Sequence, residues 1–211
     1  MALAGRREAT RADEEDGRVR RICVFCGSSR GRSPAFADAA VTLGAALASA
    51  RLELVYGGGN VGLMGVLADA VLEAGGRVIG VIPRSLVERE VAHFGLSELR
   101  VVDSMHERKQ LMHDLSDAFV ALPGGIGTFE ELFETLTWGQ LGIHAKPCGI
   151  LDVEGYYRPL VELLDGAVAN ELLHAQHRDA LLVDTDAARL LARLRAHRPP
   201  HVEKWLDRDE T

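Results

Sequence analysis

The sequence predicts an α/β fold, a doubly wound, mostly parallel sheet with helices on both faces. Three observations predict it. Short Val/Ile/Leu-rich runs alternate with longer stretches of helical spacing, glycine or proline turns punctuate almost every junction, and two of those turns are glycine clusters that follow a strand and open a helix. Strands that read as continuous apolar runs, rather than alternating ones, are those covered on both faces.

The elements follow in order. Residues 21–25 form the first strand, ending in Cys26, Gly27, Ser28 and Ser29, and Ser33 with Pro34 opens a helix to about Ala50. Residues 52–56 form the second strand and run into Gly57, Gly58, Gly59 and Asn60, followed by a helix to about Ala74 that Gly75 and Gly76 stop. Residues 77–82 give a third strand closed by Pro83, and residues 84–97 an irregular, charged connection of the kind that serves function in a compact domain. Strands at 99–102, 117–122, 146–151 and 181–183 complete the sheet, with helices at 104–115, 128–141, 156–169 and 187–197. The arrangement is Rossmann-like, so ligands belong outside the carboxyl ends of the strands.

Bulk properties narrow the function. A chain of 211 residues, 47% of them hydrophobic, suits one core, expected over residues 20–198, with a disordered leader at 1–19 and a tail at 199–211. With 31 acidic against 24 basic side chains, the net field repels DNA and anionic membranes, so no nucleic-acid or membrane partner is expected. No apolar stretch approaches the roughly 20 residues of a membrane span, and residues 1–20 lack the apolar segment of a secretory signal. Three cysteines, an odd count, point to a reducing, cytoplasmic setting. Cys23 and Cys26 make a CxxC, but strand alternation sends them to opposite faces, unlike a redox pair at a helix start.

Gly57, Gly59 and Gly62 match GxGxxG in the right context, yet the acidic residue that would hold a dinucleotide ribose is replaced by Ile82, Pro83 and Arg84. No dinucleotide or other cofactor is expected. The second loop, Leu122 to Glu131, offers glycine-exposed N–H groups at a helix start, a concave anion site, without the Lys-Ser/Thr pair of an ATPase loop. Thr128 and Glu131 also have capping-box spacing, and Glu130 and Glu131 would favour the helix dipole in any case. A phosphate cradle beside carboxylates makes chemical sense where a sugar gains positive charge in the transition state.

Pro123-Gly124-Gly125-x-Gly127-Thr128-x-x-Glu131 resembles the PGGxGTxxE signature of the LOG ("lonely guy") family of cytokinin riboside 5′-monophosphate phosphoribohydrolases, often labelled lysine decarboxylases. Gly57 to Gly59 with Gly62 to Gly65 resembles its GGGxxGLMG. Met105-His106-x-Arg108-Lys109 resembles MHxRK, Trp138-x-Gln140-Leu141-Gly142-Ile143-His144 resembles WxQLGIH, and Asp152-x-x-Gly155-Tyr156-Tyr157 resembles the loop that follows. The resemblance implies a homodimeric phosphoribohydrolase acting on a small nucleotide. Arg108 and Glu131 become the catalytic pair, and Gly124, Gly125, Ile126, Gly127 and Thr128 hold the 5′-phosphate. Ser28, Gly58, Gly59, Glu90, Lys109, Glu130 and Thr137 are expected around the ligand. Glu88-Arg89-Glu90 is followed by Val91, Ala92 and His93 instead of the family's Thr-Gly, which bears on base preference.

The residues suit the chemistry: a carboxylate can stabilise an oxocarbenium-like ribose and orient water, and a guanidinium can steady phosphate, ribose or departing base. Neither His106 with His113 nor His174 with His177 has a third ligand at convincing spacing, so no metal is expected. Lys109, Lys146 and Lys204, the chain's lysines, lack a context for a Schiff base. The alternative is a non-catalytic nucleotide-binding or sensor module of the same fold.

Overall fold

The computed structural model describes residues 19–87 and 92–197. Seven strands form one sheet in the order β4-β3-β2-β1-β5-β6-β7, namely β1 (Arg21–Phe25), β2 (Glu53–Tyr56), β3 (Val78–Pro83), β4 (Glu98–Val102), β5 (Ala118–Ala121), β6 (Cys148–Leu151) and β7 (Leu181–Asp184). Every pairing is parallel. The helices are α1 (Pro34–Ser49), α2 (Gly62–Glu73), α3 (Arg84–Val87), α4 (Met105–Asp114), α5 (Ile126–Gln140), α6 (Arg158–Ala169), α7 (Ala175–Asp179) and α8 (Ala187–Ala196).

Period-two alternation divides the core. Ile22, Val24 and Cys26 pack with Leu54 and Tyr56 against α1, α2 and α8, while Cys23 and Phe25 pack with Val55, Ile79 and Phe119 against Met112 of α4 and Leu132 of α5. Cys23 and Cys26 therefore lie on opposite sides of the sheet, both free and buried, and burial pushes their thiols up. Chain order reverses between β1 and β5. The connections leaving these two strands diverge, opening a crevice at the carboxyl edge where the two glycine clusters meet.

Several boundaries differ from the sequence reading for identifiable reasons. α5 begins at Ile126, two residues early, because Gly125 in extended conformation is its N-cap, with no side-chain cap. Thr128 and Glu131 consequently form no capping box; Thr128 lies buried within the first turn. α6 begins at Arg158 because Gly155, at φ 73°, makes a turn and the Tyr157 N–H is taken by Asp152 Oδ1 at 2.8 Å. α3 and α7 span four and five residues, too short for helical periodicity to register. The connection after α3 returns to the sheet edge: Ala92 bridges Gly59, and the His93 N–H donates to Gly58 O at 2.9 Å. Glu90, residues 1–18 of the expected leader and the whole of the expected tail lie outside the described residues.

Candidate active site

The crevice is a cavity of about 410 Å³ whose walls include Gly27 and Ser28 after β1, Gly57, Gly59 and Val61 after β2, Arg108 and Met112 of α4, and Gly125 to Thr128 with Glu131 of α5. Two helices start at its rim without a side-chain cap, α2 after Val61 and α5 after Gly125. In α5 the first backbone bond is Phe129 N–H to Gly125 O at 3.1 Å, so the N–H groups before it have no intrahelical acceptor and carry the positive end of the dipole. That is an anion site of ordinary kind.

The loop is built to hold those donors still. At Gly124 a Cβ would sit 2.1 Å from Thr128 Oγ1 and 2.9 Å from Gly27 N, so only glycine allows the β1 and β5 loops to touch. The Gly27 N–H donates to Pro123 O at 3.1 Å. From outside, the Tyr156 hydroxyl donates to Gly124 O, and the buried Tyr157 hydroxyl donates to Leu122 O at 2.7 Å. These tyrosines were legible as a motif but not as supports of the second glycine loop. The missing signal is spatial, since 32 residues separate Tyr156 from Gly124.

Arg108 and Glu131 face one another across the cavity floor, Nη2 to Oε1 at 3.9 Å, with side chains only 11% and 14% exposed. At that separation the pair attracts without a hydrogen bond. The other partners of Arg108 are weak, Gly57 O at 3.5 Å and Met105 Sδ at 3.8 Å, and its buried Nε has no partner among the described residues. Gly57 makes room for it: a Cβ there would lie 1.9 Å from Arg108 Nη2. Burial raises the Glu131 carboxyl above the usual carboxylate range, with Arg108 pulling the other way. A buried guanidinium with an unmet donor among the described residues and a carboxylate made more basic by burial are groups that a ligand can complete.

The expected site residues divide. Ser28, Gly59, Gly125, Ile126, Gly127, Thr128, Arg108 and Glu131 line the cavity, and Gly58 and Gly124 shape its loops. Lys109, Glu130 and Thr137 do not line it. Lys109 turns away from Arg108, its Nζ donating to Glu130 and to Glu134 at 2.9 Å, because α4 and α5 present these side chains on the flank of their contact. Thr137 sits exposed nearly two turns beyond Glu131 and returns its hydroxyl to Phe133 O at 2.7 Å. A second cavity, about 390 Å³, opens at the amino edge of β6 and β7 and is lined by Gly142, His144, Lys146 and His177 but by none of the expected site residues.

Comparison with known proteins agrees with this geometry. A family model described as "Possible lysine decarboxylase" matches residues 64–194. The cytokinin riboside 5′-monophosphate phosphoribohydrolases LOG3 and LOG1 of Arabidopsis thaliana are each 47% identical, over 187 and 188 residues, covering 89% of this chain and 87% and 88% of theirs. The rice enzyme LOG, from Oryza sativa subsp. japonica, is 47% identical over 89% of this chain and 78% of its own. Among solved structures, a molybdenum cofactor binding protein from Rippkaea orientalis superposes with a TM-score of 0.63 at 20% identity, covering 83% of this chain and 95% of that one. The molybdenum cofactor carrier protein of Chlamydomonas reinhardtii gives 0.62 at 21%, covering 83% and 96%. At that identity these two speak for the fold alone. The chain belongs to the LOG family of cytokinin riboside 5′-monophosphate phosphoribohydrolases, the family whose model bears the lysine decarboxylase description.

Proposed function

We propose that the protein hydrolyses the N-glycosidic bond of a purine nucleoside 5′-monophosphate, adenine or its N6-prenylated form being the base, to free base and ribose 5-phosphate. The observation that carries the reading is the under-bonded Arg108–Glu131 pair one helical turn from the uncapped start of α5. In this reading the 5′-phosphate seats on the N–H groups of Ile126, Gly127 and Thr128, which places the ribose over Glu131. The base lies toward the apolar wall of Val61, Met64, Ile82, Leu86 and Met112.

As the bond from C1′ to the base nitrogen lengthens, its electron pair leaves with the base and positive charge grows on the ribose. The Glu131 carboxylate stabilises that charge and takes a proton from the water whose oxygen bonds to C1′. Arg108, permanently charged, offsets the negative charge on the departing base or phosphate until the base takes a proton from solvent, to which Glu131 returns the one it took from water. No step draws on a metal or cofactor. The exposed apolar side chains Met105, Phe133, Leu141 and Ile143 on α4 and at the end of α5 support a homodimer, and the buried thiols support a reducing, cytoplasmic setting.

The test is chromatographic detection of base after incubation with AMP and, separately, isopentenyladenosine 5′-monophosphate, with the unphosphorylated nucleosides as controls. Release from the monophosphates alone is the expected result, and the two rates rank base preference. No release from either would return the protein to the nucleotide-binding, non-catalytic alternative.

A further inference from the structure

Behind Glu131, away from the substrate cavity, α4 and α5 bound a third and much smaller space. It has room for about 10 Å³ and is walled by Glu131, Glu134, Thr135 and Trp138 of α5, Lys109, Met112 and His113 of α4, Phe25 of β1 and Phe119 of β5; Lys109 and Glu134 are already paired with one another at 2.9 Å. Positions 131, 135 and 138 share one helical face, as do 109, 112 and 113, so the space is a product of how the two helices pack. Its volume is that of a single water molecule, which needs polar partners to be held.

The partners are present. His113 is buried, and its Nε2 has no hydrogen-bond partner among the described residues, although a buried ring N–H left unmet is costly. Its tautomer is set from the other side. Lys146 Nζ, a donor only, bonds His113 O at 2.7 Å and faces Nδ1 at 3.5 Å, so Nδ1 is the acceptor and the proton sits on Nε2. Burial, then Lys146 and His144, push the ring down to about 4, which keeps it neutral. The ring cannot swing away, being stacked on Phe119 with centroids 5.0 Å apart and set edge-on to Trp138 at 5.0 Å. Thr135 already gives its hydroxyl proton to Glu131 O at 2.9 Å, which leaves that oxygen free to accept.

We infer that His113 is a positioning residue for Glu131, acting through one buried water that accepts from His113 Nε2–H and donates to the Glu131 carboxylate and to Thr135 Oγ1. The inference rests on the proposed role of Glu131. The catalytic carboxylate is held from behind by a neutral donor while its open side faces the ribose. Donation to the charged form favours ionisation, offsetting part of the burial that opposes it. The other groups that act electrostatically on Glu131 or feel it are Arg108 and Lys109 from α4, Glu130 and Glu134 from α5, and the buried thiols of Cys23 in β1 and Cys26 just after it. Those facing His113 are Lys146, His144 and Asp114. None of these needs to change charge for the device to work near neutrality.

The experiment uses the full chain and three readouts. Side-chain ¹⁵N spectra of the unmodified protein should show His113 as the neutral Nε2–H tautomer. The Glu131 carboxyl ¹³C titration should move to higher pH in His113→Phe, and stay near the wild-type position in His113→Gln, whose amide can donate. In the base-release assay, His113→Phe should shift the acid limb of kcat/KM to higher pH, lower kcat about three- to tenfold along that limb, and leave KM on the alkaline side within about twofold. An Nδ1–H tautomer, or a Glu131 titration that does not move in His113→Phe, would overturn the inference, and the tautomer measurement stands even if that variant fails to fold. Absence of base release in the wild type, with the Glu131 titration shifted as expected, would instead remove the enzymatic reading and leave the positioning contact.

Discussion

The two edges of the same sheet treat charge in opposite ways. Along the amino edge, β1 to β4 begin with a row of alternating charges that satisfy one another: Arg21 with Glu53 at 2.9 Å, Arg77 with Glu53 at 3.7 Å and with Glu98 at 2.8 Å, and Arg100 with Glu98 at 2.7 Å. Asp117 closes that edge by accepting from the N–H groups of Arg20 and Arg21, both at 2.8 Å. At the carboxyl edge, Arg108 and Glu131 are far more buried than the amino-edge groups yet stand 3.9 Å apart, with one guanidinium nitrogen unmet among the described residues. Exposed charges closed by hydrogen bonds add a little to stability; buried charges left open cost stability, and the cost is tolerated where a ligand completes them. The same contrast separates the neighbours Lys109 and Arg108, since among the described residues the lysine has two carboxylates and the arginine has none within hydrogen-bonding distance.

Substitutions at both edges can break or sharpen this comparison. Arg108→Met should lower kcat/KM for base release by about 10²–10³, because it removes the cation that offsets charge on the departing group. Steady-state kinetics with a far-ultraviolet spectrum to confirm folding would measure it. Gly57→Ala should cost about 10²-fold without touching any reacting group, since the added methyl lands on Arg108 and must displace it by ångströms. A crystal structure of that variant would show the guanidinium moved. Tyr156→Phe should raise KM about three- to tenfold while kcat stays near wild type, as the phosphate loop loses one tether but keeps its donors. At the amino edge Glu53→Gln should leave kinetics unchanged and lower stability by only about 0.5–1 kcal/mol, shrinking in salt, as denaturant titration would report.

The sheet was legible because strands buried on both faces have no alternative to apolar runs, and Gly75, Gly76 and Pro83 mark where those runs end. The meeting of Arg108 and Glu131 was legible through their motifs. Composition and period alone leave Arg108 indistinguishable from its neighbours in a charged helix. What stayed hidden depends on which way side chains point between elements far apart in sequence. Lys109 looks like a ligand residue until the flank of α5 is seen to supply Glu130 and Glu134. Thr128 and Glu131 mimic a capping box because their spacing is right, and only the extended Gly125 shows that the helix begins earlier. Glu90 lies outside the described residues, so its place at the ligand stays a proposal.

The central claim is that the anion site binds and Glu131 does chemistry, and the most direct test compares Glu131→Gln with the wild type for nucleotide affinity by calorimetry and for base release in a single turnover. The account predicts release slowed by at least about 10³-fold with the Kd for AMP within about tenfold, because the change removes charge and keeps shape. Weakened binding with release per bound nucleotide intact would contradict it.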